Sequence, residues 1–315
     1  TNVATVYLNL HQVAERLEGE LGEEQFMFVE GCPAAPGGLP AELPRPDERL
    51  TVGIDGGYVH AREGDNRKAG WFEVIVGKSM TPEKDSKRFG FVVNYDPKPK
   101  RRLFEMMQAQ GLQMNQDITF LSDGGDTVRD LQLYLSPQAD HVLDWFHITM
   151  RTTTMKQMAK GIPSHPPLQD LEEDLDRAKW YLWHGNVFRA LQVLEYIEMD
   201  LETVDDEEEV SNKVVKLTKA VREFRGYIEV NRPFIPNYGE RYRYGETIST
   251  AFVESTVNEV VSKRMVKKQQ MRWTQRGAHL LLQVRTRTLN GDLKDAFGRW
   301  YPAMPQVETL KQMAA

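Results

Sequence analysis

The chain of 315 residues contains one cysteine, Cys32, and so cannot close an internal disulfide. No cluster of cysteine and histidine carries zinc-ligand spacing. No apolar run approaches the roughly 18–20 residues needed to cross a bilayer, and residues 1 to 25 lack the basic-then-apolar character of a secretory signal. These absences count against a disulfide-stapled secreted scaffold, a zinc finger and a helix that spans a membrane. They lead to the expectation of a soluble protein of the reducing cytoplasm. The glycine-rich stretches GIDGG and SDGGD match neither GxGxxG nor a Walker pattern, which counts against nucleotide binding of those kinds as well.

Charge is present in quantity but unevenly spread. The net value of −6 arises from 40 basic and 46 acidic residues. Residues 1–50 hold 3 basic against 9 acidic side chains, and residues 161–230 hold 8 against 16. Residues 245–315 reverse the balance with 11 against 6, concentrated in Lys263, Arg264, Lys267, Lys268, Arg272 and Arg276. A basic stretch of this kind is the footprint expected for phosphate contact, or else a solvated helix face.

The pattern along the chain suggests five segments. Residues 1–30 read as a helical remnant, with Val3, Val6, Leu10, Val13 and Leu17 at helical spacing. Residues 31–49 hold five prolines and three glycines and read as a linker. From Leu50, LTVGIDGGYVHA, WFEVIVGKSM and RFGFVVNYD predict a three-stranded meander. Next come a helix near 100–110, a strand DITFLSD, a helix from Thr127 to Leu135, a strand HVLDWFHI and a helix from Thr149 to Lys160. Residues 163–245 show only helical periods and read as an all-helical insertion. Two more helices follow, from about Thr250 to Gln269 and from Thr274 to Thr288, before a tail at 301–315. Residues 50–162 and 246–300 are thus expected to form one α/β domain with a mixed sheet flanked by helices.

Three acids stand where a core pattern would not want them. Asp55 interrupts an apolar strand and precedes Gly56 and Gly57; Asp123 ends a strand and precedes Gly124 and Gly125. Glu254 flanks the valine stripe of the basic helix, and Asn258 shares its side one turn on. An acid at a strand end is desolvated unless paired, and a divalent cation is a fitting partner. Two strand acids and one helix acid can hold two Mg²⁺ ions roughly 4 Å apart, the arrangement that clamps both oxygens of a phosphodiester displacement. Each acid alone has an ordinary reading as a cap, a turn residue or a solvated helix residue; the reading rests on the set.

In this order, GIDGGYVHA, FLSDGGDTVRDL, VLDWFHI, FVESTVNEVVSKRM and MRWTQRGAHLLLQVRT resemble the DDE transposases of the RNase H-like fold, and more closely the ISKra-type insertion-sequence transposases related to the Mutator group. The resemblance covers residues 50 to 300. It implies metal ligation by Asp55, Asp123 and Glu254, two Mg²⁺ or Mn²⁺ ions, and strand cleavage and transfer at transposon ends. It also implies a helical insertion between Asp123 and Glu254, and an Asp-x-x-His signature at Asp144 and His147. The partners implied are terminal inverted repeats and target DNA, with a homodimer expected from the pairing of two ends and a prokaryotic, nucleoid-associated location. His147 could assist proton transfer or contact a phosphate, or be a half-buried structural histidine. Family members carry a further N-terminal region for recognising transposon ends, so the chain is expected to be a catalytic core. Within KWYLWHGNVFRAL, Trp180, Trp183 and Val187 could form a buried stripe, while Trp183 could instead stack on a flipped base. Lys263, Arg264, Lys267, Lys268 and Arg272, with Asn258, are the expected DNA contacts.

Overall fold

The computed structural model describes residues 2–22, 49–62, 70–82, 85–112, 116–136, 139–162, 168–204, 208–266 and 272–303. The linker at 31–48, Lys267, Lys268 and the tail beyond 303 lie outside them. Five strands, β1 (Leu50–His60), β2 (Trp71–Met80), β3 (Arg88–Val92), β4 (Ile118–Ser122) and β5 (Asp140–Leu143), form one sheet of order β3-β2-β1-β4-β5. β1 to β3 are antiparallel, with Asp55 opposite Val76 and Val76 opposite Gly90; β4 and β5 are parallel, with Ser122 opposite Leu143. This mixed order, flanked by helices, is the RNase H-like α/β fold. The chain divides into two compact units.

The first unit comprises Thr1–Asp117, Tyr134–Pro137 and Val253–Ala315. It contains the meander together with helices α1 (Val3–Glu20), α2 (Pro99–Ala109) and, later in the chain, α10 (Gln275–Leu289) and α11 (Leu293–Trp300). Successive strand residues face opposite ways, so Gly53, Asp55, Gly57 and Val59 share one face of β1. Val59, Phe72, Val74, Val76 and Val92 pack there against Val260, Val261, Met265, Ala278 and Leu282. The side chains that build this core are the β-branched residues that made the strands legible in the sequence.

Helix α1 is bound to this unit by charge as well as by apolar packing. Arg102 of α2, 6% exposed, donates to Asp96 at 2.5 Å, to Glu18 of α1 at 2.5 Å and to Gln283 of α10 at 2.8 Å. It also lies 3.1 Å from Nε2 of His279. The Glu18 carboxyl is held down at about 2: burial acts to raise it, but hydrogen bonds from His279 and Arg102 outweigh that. The apolar stripe of α1 is shorter than its spacing predicts. Ala14, Leu17 and Leu21 are buried, whereas Val6 is 52% exposed.

The second unit comprises Ile118–Leu133 and Gln138–Phe252. It holds β4, β5, α3 (Asp126–Leu135) up to Leu133, α4 (Trp145–Ala159) and the helical insertion: α5 (Leu171–Trp183), α6 (Val187–Glu202), α7 (Glu208–Val230) and α8 (Tyr238–Arg243). Leu121, Val142, Leu143 and Ile148 join one core with Leu175, Leu182, Leu194, Leu217, Val221 and Phe224 of the insertion helices.

Three sequence expectations need correction. The stretch HVLDWFHI is not one strand: β5 stops at Leu143, and Asp144 caps α4 by accepting the Phe146 N–H at 2.9 Å. The helix expected over 250–269 begins as α9 (Ala251–Val257) and continues over Asn258–Val266 in wider i→i+5 turns. Trp180 is 58% exposed and so is no member of a buried stripe. Helix α11 was not anticipated.

Removing one partner from a buried ion network leaves the others desolvated and unpaired, at a cost of about 3–5 kcal/mol. Arg102→Met is therefore expected to lower unfolding free energy by that amount in urea titrations, far more than Arg276→Met, whose pair with Glu15 lies in solvent. Equal effects of the two substitutions would contradict this account.

Candidate functional site

Asp55 lies midway along β1 with its side chain on the covered face and is 9% exposed. Its Oδ1 accepts the N–H of Gly56 at 2.8 Å. Two residues on, on the same face, a Cβ at Gly57 would lie 3.2 Å from Cγ1 of Val257. The glycine thus lets the helix that carries Glu254 approach β1 closely. Glu254 precedes Val257 by three positions, nearly one helical turn, and is exposed beside the buried Val253 and Thr256. The first unit therefore brings Asp55 and the Glu254 helix to one sheet face. Arg285 of α10 supports the wide turns that follow, donating to the carbonyls of Val260 at 3.0 Å and Glu259 at 2.5 Å.

Asp123 belongs to the second unit, in the loop immediately after β4. One carboxylate oxygen accepts the Gly125 N–H at 3.0 Å, the turn expected of an aspartate before two glycines. Its backbone carbonyl accepts the Tyr227 hydroxyl at 3.0 Å. The next carbonyl, of Gly124, accepts from Arg129 at 2.8 Å, and Arg129 also donates to Asn231 at 3.1 Å.

Asp144 is fully buried. Its carboxylate accepts from Phe146 N–H, from Thr250 N–H at 2.8 Å, from the Thr250 hydroxyl, and from Nδ1 of His147 at 2.7 Å. Burial acts to raise its pKa, but the hydrogen bonds from His147, Thr250 and Phe146 prevail, and the carboxyl sits below the usual 3.8. A carboxylate can only accept here, so Nδ1 of His147 carries a proton. His147 lies in the first turn of α4, within the helix and not at a strand end.

Trp183 is half-buried, its ring 5.0 Å from that of Trp145 and close against Gly239. Of the expected phosphate contacts, Lys263 and Arg272 are exposed and Asn258 is half-buried at the first wide turn. Arg276 is engaged with Glu15 at 2.5 Å. Tyr227, Asn231, Arg129, Thr250 and Arg285 carry no sequence signal, because each sits in an ordinary helical or loop pattern.

Asp55 and Glu254 belong to the first unit and Asp123 to the second; each is a carboxylate, a hard oxygen donor of the kind that suits Mg²⁺ or Mn²⁺. A separate group, Glu18, Asp96 and His279, also offers ligand atoms within 4.8 Å of one another. The guanidinium of Arg102 already serves there as the cation, so this group has the composition of a metal site but the bonding of an ion network.

His141 of β5 shares a hydrogen bond of 2.9 Å with the Ser122 hydroxyl. Burial, with Arg129 nearby, pushes its pKa from 6.5 down to about 4. A histidine depressed in this way stays neutral in the folded chain while the unfolded chain takes up a proton. Its contribution is present above pH 6.5 and is lost as pH falls toward 4. Urea titrations at stepped pH should show a loss of about 3 kcal/mol across that window, absent from His141→Gln. A further loss, below the usual 3.8 of a carboxyl, is expected as Asp144 protonates. Identical pH slopes in the two proteins between 6.5 and 4 would refute the assignment.

No protein-family model and no curated protein matches the sequence. Among solved structures, the chain is similar to the Drosophila P element transposase strand transfer complex, over 93% of this chain and 86% of that one, with 8% identity and a TM-score of 0.37. Among the described residues no helix is long and apolar enough to cross a membrane.

Proposed function

We propose that the chain is the catalytic core of an ISKra-type DNA transposase, in which Asp55, Asp123 and Glu254 together hold two Mg²⁺ or Mn²⁺ ions. The observation that carries this reading is a carboxylate, Asp55, buried midway along β1 on the sheet face onto which the Glu254 helix packs through Val257 and Gly57. The order of the motif blocks and the mixed five-stranded sheet support it. When bound, a metal pair of this kind activates the attacking oxygen and stabilises the leaving one in an in-line displacement. Asp144 orients the His147 ring through Nδ1, and the imidazole holds a phosphate or moves a proton. Lys263 and Arg272, with Arg264, Lys267 and Lys268, hold backbone phosphates, an attraction that weakens as salt rises. Two copies of the chain pair two element ends. The first displacement frees a 3′-hydroxyl, and the second joins it to target DNA.

Asp123→Asn is expected to lower metal-dependent nicking by about 10³-fold while DNA affinity, read by anisotropy, is kept or improved. Unchanged nicking would sink the assignment. Supplying a pre-cleaved 3′-hydroxyl end with target DNA tests the second step: joined product supports a transposase, and hydrolysis without joining marks a nuclease of the same fold.

A further inference from the structure

The loop that carries Asp123 is short, half-exposed and contains two adjacent glycines, whose ordering costs more conformational entropy than that of any other residue. It is nonetheless fixed from three sides by residues from elsewhere in the second unit. The Tyr227 hydroxyl, on α7, donates to the Asp123 carbonyl at 3.0 Å. The phenol ring is covered by the Arg151 guanidinium, 4.3 Å from its centroid. Arg129 donates to the Gly124 carbonyl at 2.8 Å and is itself held by Asn231. Asn231, 4% exposed, donates through Nδ2 to the Tyr227 carbonyl at 2.9 Å. Gly124 adopts φ +86°, and a Cβ there would collide with the Asn231 amide. The carbonyls on both sides of the Asp123–Gly124 peptide junction are thereby tied to side chains.

The neighbouring strand end repeats the device. Tyr238, fully buried, donates its hydroxyl to the Leu143 carbonyl at 2.8 Å, one residue before Asp144. The helical insertion thus supplies a tyrosine hydroxyl to the chain at Asp123 and another just before Asp144.

We propose that Tyr227 and Asn231 are positioning residues which aim the Asp123 carboxylate at a divalent cation, making the helical insertion a working part of the metal site. The inference rests on the reading of Asp123 as a ligand. These contacts go to the backbone beside the acid, so they fix the direction of its Cα–Cβ bond without engaging the carboxylate, one oxygen of which accepts the Gly125 N–H. Mg²⁺ demands near-ideal octahedral geometry and should suffer more from a loosened ligand than Mn²⁺.

The test is Mn²⁺ binding to the metal-free full chain, followed by electron paramagnetic resonance and calorimetry, for wild type, Asp123→Asn, Tyr227→Phe, Asn231→Ala and Glu198→Gln. The last removes charge from a carboxylate paired with Arg222 and Arg225 within the insertion and controls for loss of stability alone. Tyr227→Phe and Asn231→Ala are each expected to weaken Mn²⁺ about 10-fold, to reduce Mg²⁺-supported nicking more than Mn²⁺-supported nicking, and to speed hydrogen exchange at the Gly124 and Gly125 amides. Glu198→Gln should lower the thermal midpoint without changing Mn²⁺ affinity. If Asn231→Ala does not fold, Arg129→Lys interrogates the same brace. Wild-type Mn²⁺ affinity in Asp123→Asn would overturn the metal reading itself. Weakened binding in Asp123→Asn alone, with wild-type affinity in Tyr227→Phe and Asn231→Ala, would overturn the brace and leave the metal reading standing.

Discussion

A buried carboxylate is unfavourable in a protein interior unless donors surround it, and Asp144 is surrounded. It ends β5, starts α4 by capping its first turn, orients His147, and takes both the N–H and the hydroxyl of Thr250. Through Thr250 it also fixes the segment that leads into α9, a contact reinforced by the Trp145 N–H to the Ile248 carbonyl at 3.1 Å. One ionised group therefore joins a strand end, a helix start and a return segment about a hundred residues later in the chain. Because each of these bonds is made to a charged acceptor, each is stronger than its neutral equivalent, and none survives protonation unchanged.

The charge map agrees with a division of labour along the chain. The acidic insertion carries its charge on helix surfaces and in pairs such as Glu198 with Arg222 and Arg225, while its interior is aliphatic and aromatic. The basic residues cluster instead after Glu254, on the wide turns and the start of α10. A net charge of −6 thus averages two segments of opposite sign, and the average describes neither.

The meander was legible because its β-branched runs are bounded by turn residues, and Asp55 was legible because a charge in such a run has no packing reason to be there. The boundary between β5 and α4 was not. Val142, Leu143, Trp145, Phe146 and Ile148 make an apolar run that reads equally as strand or helix, and only the capping geometry of Asp144 decides it. The ties to Asp123 were invisible for a different reason. Tyr227 and Asn231 lie more than a hundred positions away in a regular helical stretch and its end, and nothing local distinguishes a tyrosine that packs from one whose hydroxyl reaches a distant carbonyl. The Arg102 network is hidden in the same way, since its partners come from α1, from α10 and from the turn after β3.

Val253, Val257, Val261 and Met265 recur at intervals of four residues. In an α-helix each such step drifts by about 40° around the axis, so four of them would not stay on one side. The wide i→i+5 turns over Asn258–Val266 offset the drift and keep Val257, Val261 and Met265 packed with the valines of the sheet. The number of residues in this segment therefore sets the angular phase between its acidic and basic ends. Loss of a single position would swing Lys263 by roughly a quarter turn relative to Glu254 with every side chain chemically intact. Constraint at this part of the chain falls on its length as much as on its composition.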